Sequence, residues 1–124
     1  LEKSWIAPLP IEFDINLPGY KGMMSMQGGH AGEKMPKAQA IKDATMAYFI
    51  NKNRKENSIF VHYNGTYHSD NYEGINWYLR KLDADIQIVT IAMVEQKDIS
   101  KLEAEHYNKA DFILVIDEDV TKTY

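Results

Sequence analysis

The sequence predicts an α/β fold with a mostly parallel sheet and helices on both faces. Three short apolar runs have the length and the β-branched or aromatic composition of buried strands, namely Ile59–Tyr63, Ile86–Val94 and Asp111–Asp117. Segments of helical character precede and separate these runs, an order that favours right-handed crossovers between parallel strands. Three strands make a thin sheet with a hydrophobic edge, so we expect the domain to be incomplete in this chain.

Length, charge and cysteine content exclude several classes of protein. With 124 residues the chain forms one domain at most, and its 44% hydrophobic and 26% charged residues are ordinary globular values. A formal net charge of −4 argues against a nucleic-acid-binding protein. The absence of cysteine excludes disulfides, thiolate nucleophiles and cysteine-type zinc sites, and is compatible with either the cytosol or the cell envelope.

The first 35 residues contain few signals for regular structure. We predict an extended segment over residues 1–16, because two prolines interrupt the strand-like run Trp5–Phe13. Residues 17–35 are rich in glycine and methionine and predict a long loop, either a lid over a site or a mobile connector. His30 lies in this loop, where it either reaches a ligand or faces solvent. The chain opens without an initiator Met, so we expect it to begin inside a longer protein.

Residues 36–124 are predicted to alternate between helix and strand, and the first element is a helix from Lys37 to Asn53. Pro36 suits the start of this helix, since its missing donor is one of the first-turn orphans. Five residues at helical spacing are predicted to face the sheet: Ala38, Ile41, Thr45, Tyr48 and Phe49. A second stripe either lines a cleft or borders the core: Gln39, Asp43, Met46 and Ile50.

The central stretch Ile59–Leu82 predicts a strand, a tight polar loop and a helix. Gly65 would end the strand by adopting backbone angles closed to other residues. Ser69 or Asp70 would cap the following helix. The apolar face of that helix is formed by Ile75, Tyr78, Leu79 and Leu82. A further short helix is predicted from Ser100.

The loop after the central strand is the candidate site, since ligands of α/β sheets bind outside the carboxyl ends of the strands. His68 in this loop is a general base, a proton shuttle, a metal ligand or a plain surface histidine. We predict that His62 lies in the core and that His106 lies on the surface. No two histidines have the spacing that places two metal ligands on one helix face.

Tyrosine is abundant around the same loop. Eight of the 124 residues are tyrosine, and Tyr63, Tyr67 and Tyr72 cluster there. Phenolate oxygen is a ligand for haem iron, and aromatic rings also pack on a flat macrocycle. The alternative is that these rings pack at strand ends with their hydroxyl groups in solvent. Sequence motifs for phosphate-binding loops, nucleophile elbows and dinucleotide-binding turns are absent.

Three segments, residues 37–50, 60–79 and 88–91, resemble the C-terminal half of the ChaN-like haem-binding uptake proteins. These are iron-regulated envelope lipoproteins of the EreA/ChaN/Tiki/TraB group. The resemblance is carried by Gln39, Lys42, Asp43, Met46 and Ala47, with Gly65, His68 and Gly74 at fixed intervals. The family's upstream Gly-Glu-x-His motif has no counterpart here, so the cleft residues of that half cannot be mapped. The resemblance implies an EreA/ChaN-like fold.

The resemblance also implies a cofactor, a partner and a location. ChaN-like proteins bind haem between protomers with tyrosine on the iron, which here implies Tyr67 first, with Tyr63 and Tyr20 behind it. The implied cleft residues are His68, Gln39, Asp43 and Met46. The implied partners are the missing N-terminal half of the same protein and a second protomer around the haem. The implied location is the bacterial cell envelope, with a lipid anchor outside this sequence.

The hydrolases of the same group imply an alternative function. In the Tiki-like and erythromycin-esterase-like relatives, acidic and histidine residues activate metal or water. By this analogy the chain would be half of a metal-dependent hydrolase, with His68 as ligand or base and Asp43 or Asp70 assisting. A divalent metal ion then replaces haem as the cofactor. The sequence leaves open whether the protein is an enzyme.

Overall fold

A computed structural model describes residues 3–25 and 32–121, which form three α-helices and a two-stranded sheet. The elements are α1 (Pro18–Ser25), α2 (Lys34–Asn53), α3 (Ile75–Leu82), β1 (Ile91–Gln96) and β2 (Phe112–Asp117). Short 3-10 turns occur at Lys3–Trp5, Thr66–His68, Asp70–Tyr72 and Ala104–His106. The mixed α/β architecture and the incomplete parallel sheet are confirmed. None of the helices in the described ranges has the length and apolar character needed to span a membrane.

Helix α2 is confirmed, but the side predicted to be buried is wrong. Ala38 and Ile41 are exposed, whereas a different stripe is buried. That stripe consists of Pro36, Ala40, Asp43, Ala44, Ala47 and Ile50. The reason is that α1 and α3, rather than a sheet, pack on α2. Small alanine side chains allow the neighbouring helices to approach closely, so the least bulky face of α2 becomes the core.

Helix α3 contributes the predicted apolar side chains to this core. Ile75, Tyr78 and Leu79 are buried in one cluster with the alanines of α2, while Leu82 at the end of the helix is about half exposed. The helix begins directly after Gly74. The prediction that Ser69 or Asp70 caps it is therefore wrong, because the 3-10 turn at Asp70–Tyr72 comes in between.

Helix α1 lies inside the segment predicted to be a long loop, which corrects the prediction for residues 18–25. Pro18 provides a preset φ for its first turn. Tyr20 and Met23, three residues apart on one face, are both buried in the core cluster with α2. Packing of this pair therefore stabilises a helix that its glycines disfavour. His30 and its neighbours at 26–31 lie outside the described residues.

Strands β1 and β2 are parallel, in a register that runs from Ile91 opposite Phe112 to Gln96 opposite Asp117. Side chains of β1 alternate between exposed and buried, so one face of the sheet is open. The nearly continuous β-branched run Ile86–Val94 is typical of a strand covered on both faces, but one face of β1 is exposed within the described part of the chain. Two of the three predicted strands are thus present, and β1 begins at residue 91 instead of 86.

The predicted central strand Ile59–Tyr63 is not part of any sheet among the described residues. Ile59 is 92% exposed and Tyr63 is 90% exposed. Strand propensity describes a side chain that fits a pleated, half-buried surface, and the ladder itself needs a neighbouring strand. No neighbour pairs with this segment in the described ranges, so its composition alone does not make it a strand.

Two smaller predictions are also corrected. Gly65 has φ −71° and ψ 151°, backbone angles that any residue can adopt. The special conformational freedom of glycine is therefore not the reason that the segment Ile59–Tyr63 ends there. Gly74, with φ 55°, is the glycine of this region that occupies the left-handed side of backbone space. The helix predicted from Ser100 is reduced to the single 3-10 turn Ala104–His106.

Candidate functional site

A carboxylate in the core stripe of α2 is the centre of the candidate site. Asp43 is fully buried, and each of its oxygens accepts one hydrogen bond. The Tyr20 hydroxyl donates to Oδ2 at 2.7 Å, and Nδ1 of His68 lies 2.5 Å from Oδ1. Burial raises the pKa of Asp43, although the hydrogen bonds from His68 and Tyr20 act in the opposite direction. The network joins α1, α2 and the turn that carries His68.

His68 is held at the end of the 3-10 turn Thr66–His68, where its backbone N–H donates to the Gly65 carbonyl at 3.0 Å. Its side chain remains 22% exposed. With Nδ1–H donating to Asp43, a neutral imidazole carries its lone pair on Nε2, the nitrogen that could bind a metal or accept a proton. The Gln39 amide lies on the same ring, 2.8 Å from Nδ1 and 3.4 Å from Nε2. Of the predicted residues, Gln39, Asp43 and His68 therefore lie together.

Tyr20 is a structural member of the network rather than an available ligand. Its side chain is buried, and its hydroxyl donates to the Asp43 carboxylate. Burial, reinforced by the hydrogen bond and the charge of Asp43, raises the pKa of Tyr20 well above its ordinary value. A phenolate at this position would face a carboxylate at hydrogen-bonding distance, so Tyr20 is the least suited of the three candidate iron ligands.

Tyr67 and Tyr63 are the exposed tyrosines of the region. Tyr67 is 67% exposed, and within the described ranges neither hydroxyl has a hydrogen-bond partner. Tyr67 borders a pocket of about 270 Å³ between α1 and the turns after residue 65. The other lining residues are Pro18, Gly19, Tyr20, Gly22, Met23, Asp70, Asn71, Glu73, Gly74 and Lys109. Tyr63 does not line this pocket.

Met46 lies apart from the other predicted cleft residues. It borders a separate apolar groove of about 280 Å³, lined by Thr45, Phe49, Ile50, Asn53, Phe60 and His62. Of these, His62 is exposed, which corrects its predicted place in the core. Gln39 and Asp43 of the predicted stripe therefore belong to the hydrogen-bond network. Met46 and Ile50 line the apolar groove.

Sequence reasoning missed two residues of the site, Tyr20 as the partner of Asp43 and Gly74 as the support of His68. A Cβ at Gly74 would overlap the His68 carbonyl oxygen and come within 3.2 Å of Asp43 Oδ2. The signal for Tyr20 was its spacing from Met23 directly after Pro18, which is typical of a short amphipathic helix. No local pattern indicated Gly74.

Comparison with known proteins gives one result. The family model described as "Haem-binding uptake, Tiki superfamily, ChaN" matches residues 1–79, which include α1, α2, the network and Tyr67. The strands β1 and β2 lie outside the matched range. No curated protein and no solved structure matches the chain significantly. Because the match extends over more than half of the sequence, the chain belongs to the ChaN family of haem-binding uptake proteins in the Tiki superfamily.

Proposed function

We propose that the protein binds haem on the surface formed by α1 and the turn Gly65–His68, with the Tyr67 phenolate as the iron ligand. The observation that carries the proposal is the Tyr67 side chain, which follows Thr66 and precedes His68, is 67% exposed and has no hydrogen-bond partner among the residues that the structure describes. Phenolate is an established haem-iron ligand, and the bound haem would supply the iron. Membership of a haem-binding family supports the same assignment.

The donor set fits such a group. Tyr67 offers a phenol oxygen and an aromatic face, while the Asp43 carboxylate orients the His68 imidazole through Nδ1. Gln39 reaches toward the backbone carbonyl of Tyr67 at 3.5 Å and lies 2.8 Å from Nδ1 of His68, so it links the Tyr67 backbone to the imidazole ring. We infer that Gln39 and Asp43 position the site, and that Met46 does not contact the haem.

We further propose that a second protomer completes the haem site. The pocket beside Tyr67 has a volume of about 270 Å³, below the roughly 300–1,000 Å³ of pockets that enclose drug-sized ligands. One copy of this surface would therefore cover only part of the macrocycle. In this arrangement hemin should promote dimer formation, which sedimentation or light scattering with and without hemin would detect.

The rest of the same protein is the partner we propose for the open face of the β1–β2 sheet. Ile91, Met93, Phe112 and Leu114 lie opposite one another in the register, and each is more than half exposed. Parallel sheets are normally covered on both faces. We place the complete protein in the bacterial cell envelope, anchored by a lipid outside this sequence. Fractionation of cells that express the full-length protein tests the location.

Titration with hemin tests the haem proposal. We expect a Soret band with tyrosinate-type features, and we expect Tyr67→Phe to weaken hemin binding at least about tenfold, the factor that corresponds to 1.4 kcal/mol. Tyr63→Phe is the matched control, because it removes the same hydroxyl from a neighbouring exposed ring. Equal spectra and affinities for wild type and Tyr67→Phe would contradict the assignment of the ligand.

A metal-dependent hydrolase is the second candidate, and the Asp43–His68 pair is the observation that supports it. A buried carboxylate that orients an imidazole is found where histidine acts as a base or holds a metal ion. Burial raises the pKa of Asp70, which lines the pocket beside Tyr67. Hydrolysis of a chromogenic ester in the presence of Mn²⁺ or Zn²⁺, lost in His68→Ala, together with no Soret band for hemin, would favour this function over haem binding.

A further inference from the structure

His106, predicted to lie on the surface, is buried in the structure. Only 7% of the residue is exposed, and neither ring nitrogen has a hydrogen-bond partner among the described residues. Desolvating a polar group without a partner is costly, and such groups in native proteins call for an explanation, for example a bound ion. The ring is not isolated from charge, since Nε2 lies 3.5 Å from Oε1 of Glu105.

Two carboxylates converge on this imidazole. Glu103, Glu105 and His106 each present one ligand atom, and these atoms all lie within 4.8 Å of one another. Glu103 precedes the 3-10 turn Ala104–His106, and its carbonyl accepts the His106 backbone N–H at 3.0 Å. Side chains at i and i+3 of a 3-10 turn are eclipsed, so the local backbone places Glu103 and His106 on one side.

The base of this turn is fixed by a buried side chain of β1. Gln96 is 3% exposed, and its Oε1 accepts the Glu103 backbone N–H at 3.2 Å. Its Nε2 donates to the Lys101 carbonyl at 2.7 Å. Gln96 thereby holds the connection between β1 and β2 in the conformation that brings the three side chains together. The glutamate side chains themselves are exposed and free to adjust.

We propose that Glu103, Glu105 and His106 form a binding site for a first-row divalent transition-metal ion of the Zn²⁺ type. Imidazole favours such ions over Mg²⁺ and Ca²⁺, and three protein ligands leave one tetrahedral position open. In a tetrahedral site with bond lengths of about 2.0–2.2 Å, two ligand atoms of one Zn²⁺ ion lie about 3.3–3.6 Å apart. Rotation of the exposed glutamates closes the remaining gap. None of these three residues lines the pocket beside Tyr67, and the site does not depend on the proposed function.

A Zn²⁺ titration in competition with a chromophoric chelator tests the site. It is performed on the His68→Ala variant of the full chain, which removes the other candidate metal ligand. We expect the protein to bind one equivalent of Zn²⁺. Glu103→Gln and Glu105→Gln should each weaken the Zn²⁺ affinity at least about tenfold, which is the lower end of the cost of losing even an outer-shell partner. Both glutamates are exposed, so circular dichroism should show an intact fold.

Glu56→Gln is the matched control, since it neutralises an exposed carboxylate outside the cluster and should leave the affinity unchanged. Zn²⁺ should also raise the melting temperature by mass action, and Mg²⁺ at the same concentration should not. The proposal is overturned if the His68→Ala protein does not bind Zn²⁺, if both glutamine variants bind as tightly as their parent, or if Mg²⁺ competes with equal affinity.

Discussion

The hydrogen bond from Tyr20 to Asp43 makes a quantitative test of the buried network. Tyr20→Phe removes one oxygen and keeps the ring, including its stacking on Phe13 at 5.7 Å between centroids. No cavity of side-chain size is created, so the lost hydrogen bond dominates the change. A hydrogen bond to a charged group contributes about 1.5–3 kcal/mol, because the buried partner is otherwise left unsatisfied. We therefore expect the free energy of unfolding to fall by about 1.5–3 kcal/mol.

Urea unfolding at neutral pH measures this loss as a lower midpoint at unchanged slope. Tyr48→Phe is the control, because the Tyr48 ring is half-buried on α2 and its hydroxyl has no hydrogen-bond partner in the described ranges. It should change stability by no more than about 0.5 kcal/mol. In an Asp43→Asn background the cost of Tyr20→Phe should shrink, since the charged acceptor is gone. A Tyr20→Phe protein as stable as the control would refute the network as a source of stability.

Two further predictions concern the backbone and the sheet. Gly74→Ala should lower the free energy of unfolding, measured with urea, by more than about 2 kcal/mol, because φ is positive and the new methyl group would overlap the His68 carbonyl. Gly65→Ala is the control, since Gly65 has ordinary backbone angles and open space around it, and it should be nearly neutral in the same assay. Hydrogen bonds from the Thr90 backbone and hydroxyl lower the pKa of Asp111, so its stabilisation is present above the unfolded value near 3.9 and is lost as pH falls through the folded pKa. Urea midpoints of wild type and Asp111→Asn should accordingly differ at neutral pH and converge at acid pH; a constant difference would contradict the assignment.

Local sequence signals were sufficient to predict elements whose structure depends mainly on their own residues. Pro36 and a run of good helix formers predicted α2, and two apolar runs predicted β1 and β2. The failures occurred where the outcome depends on a distant partner. Ile59–Tyr63 has strand composition but no paired neighbour in the described residues, and the buried face of α2 was decided by which elements pack on it. Propensity does not contain that information.

The candidate site shows the same division. The family resemblance predicted that His68 and Asp43 share one cleft, but the 2.5 Å contact between them depends on the packing of the Gly65–His68 turn against α2. Tyr20 was named as a third candidate iron ligand through the family resemblance, in a segment predicted to be a loop. In the structure this segment is helix α1, which packs on α2, and the Tyr20 hydroxyl donates a hydrogen bond to Asp43.

The network around Asp43 would support either proposed function. A residue outside the network is therefore needed to distinguish haem binding from hydrolysis. Replacing buried polar contacts by well-packed apolar side chains often leaves stability unchanged or higher, so stability alone is a weak reason for a carboxylate in the core of α2. Its chemical effect is to favour the His68 proton on Nδ1 and the lone pair on Nε2, which would serve a haem-binding surface and a hydrolytic base equally. Tyr67 has no role in the second case. A hydroxyl removed from Tyr67 therefore separates the two functions, whereas any change at Asp43 or His68 affects both.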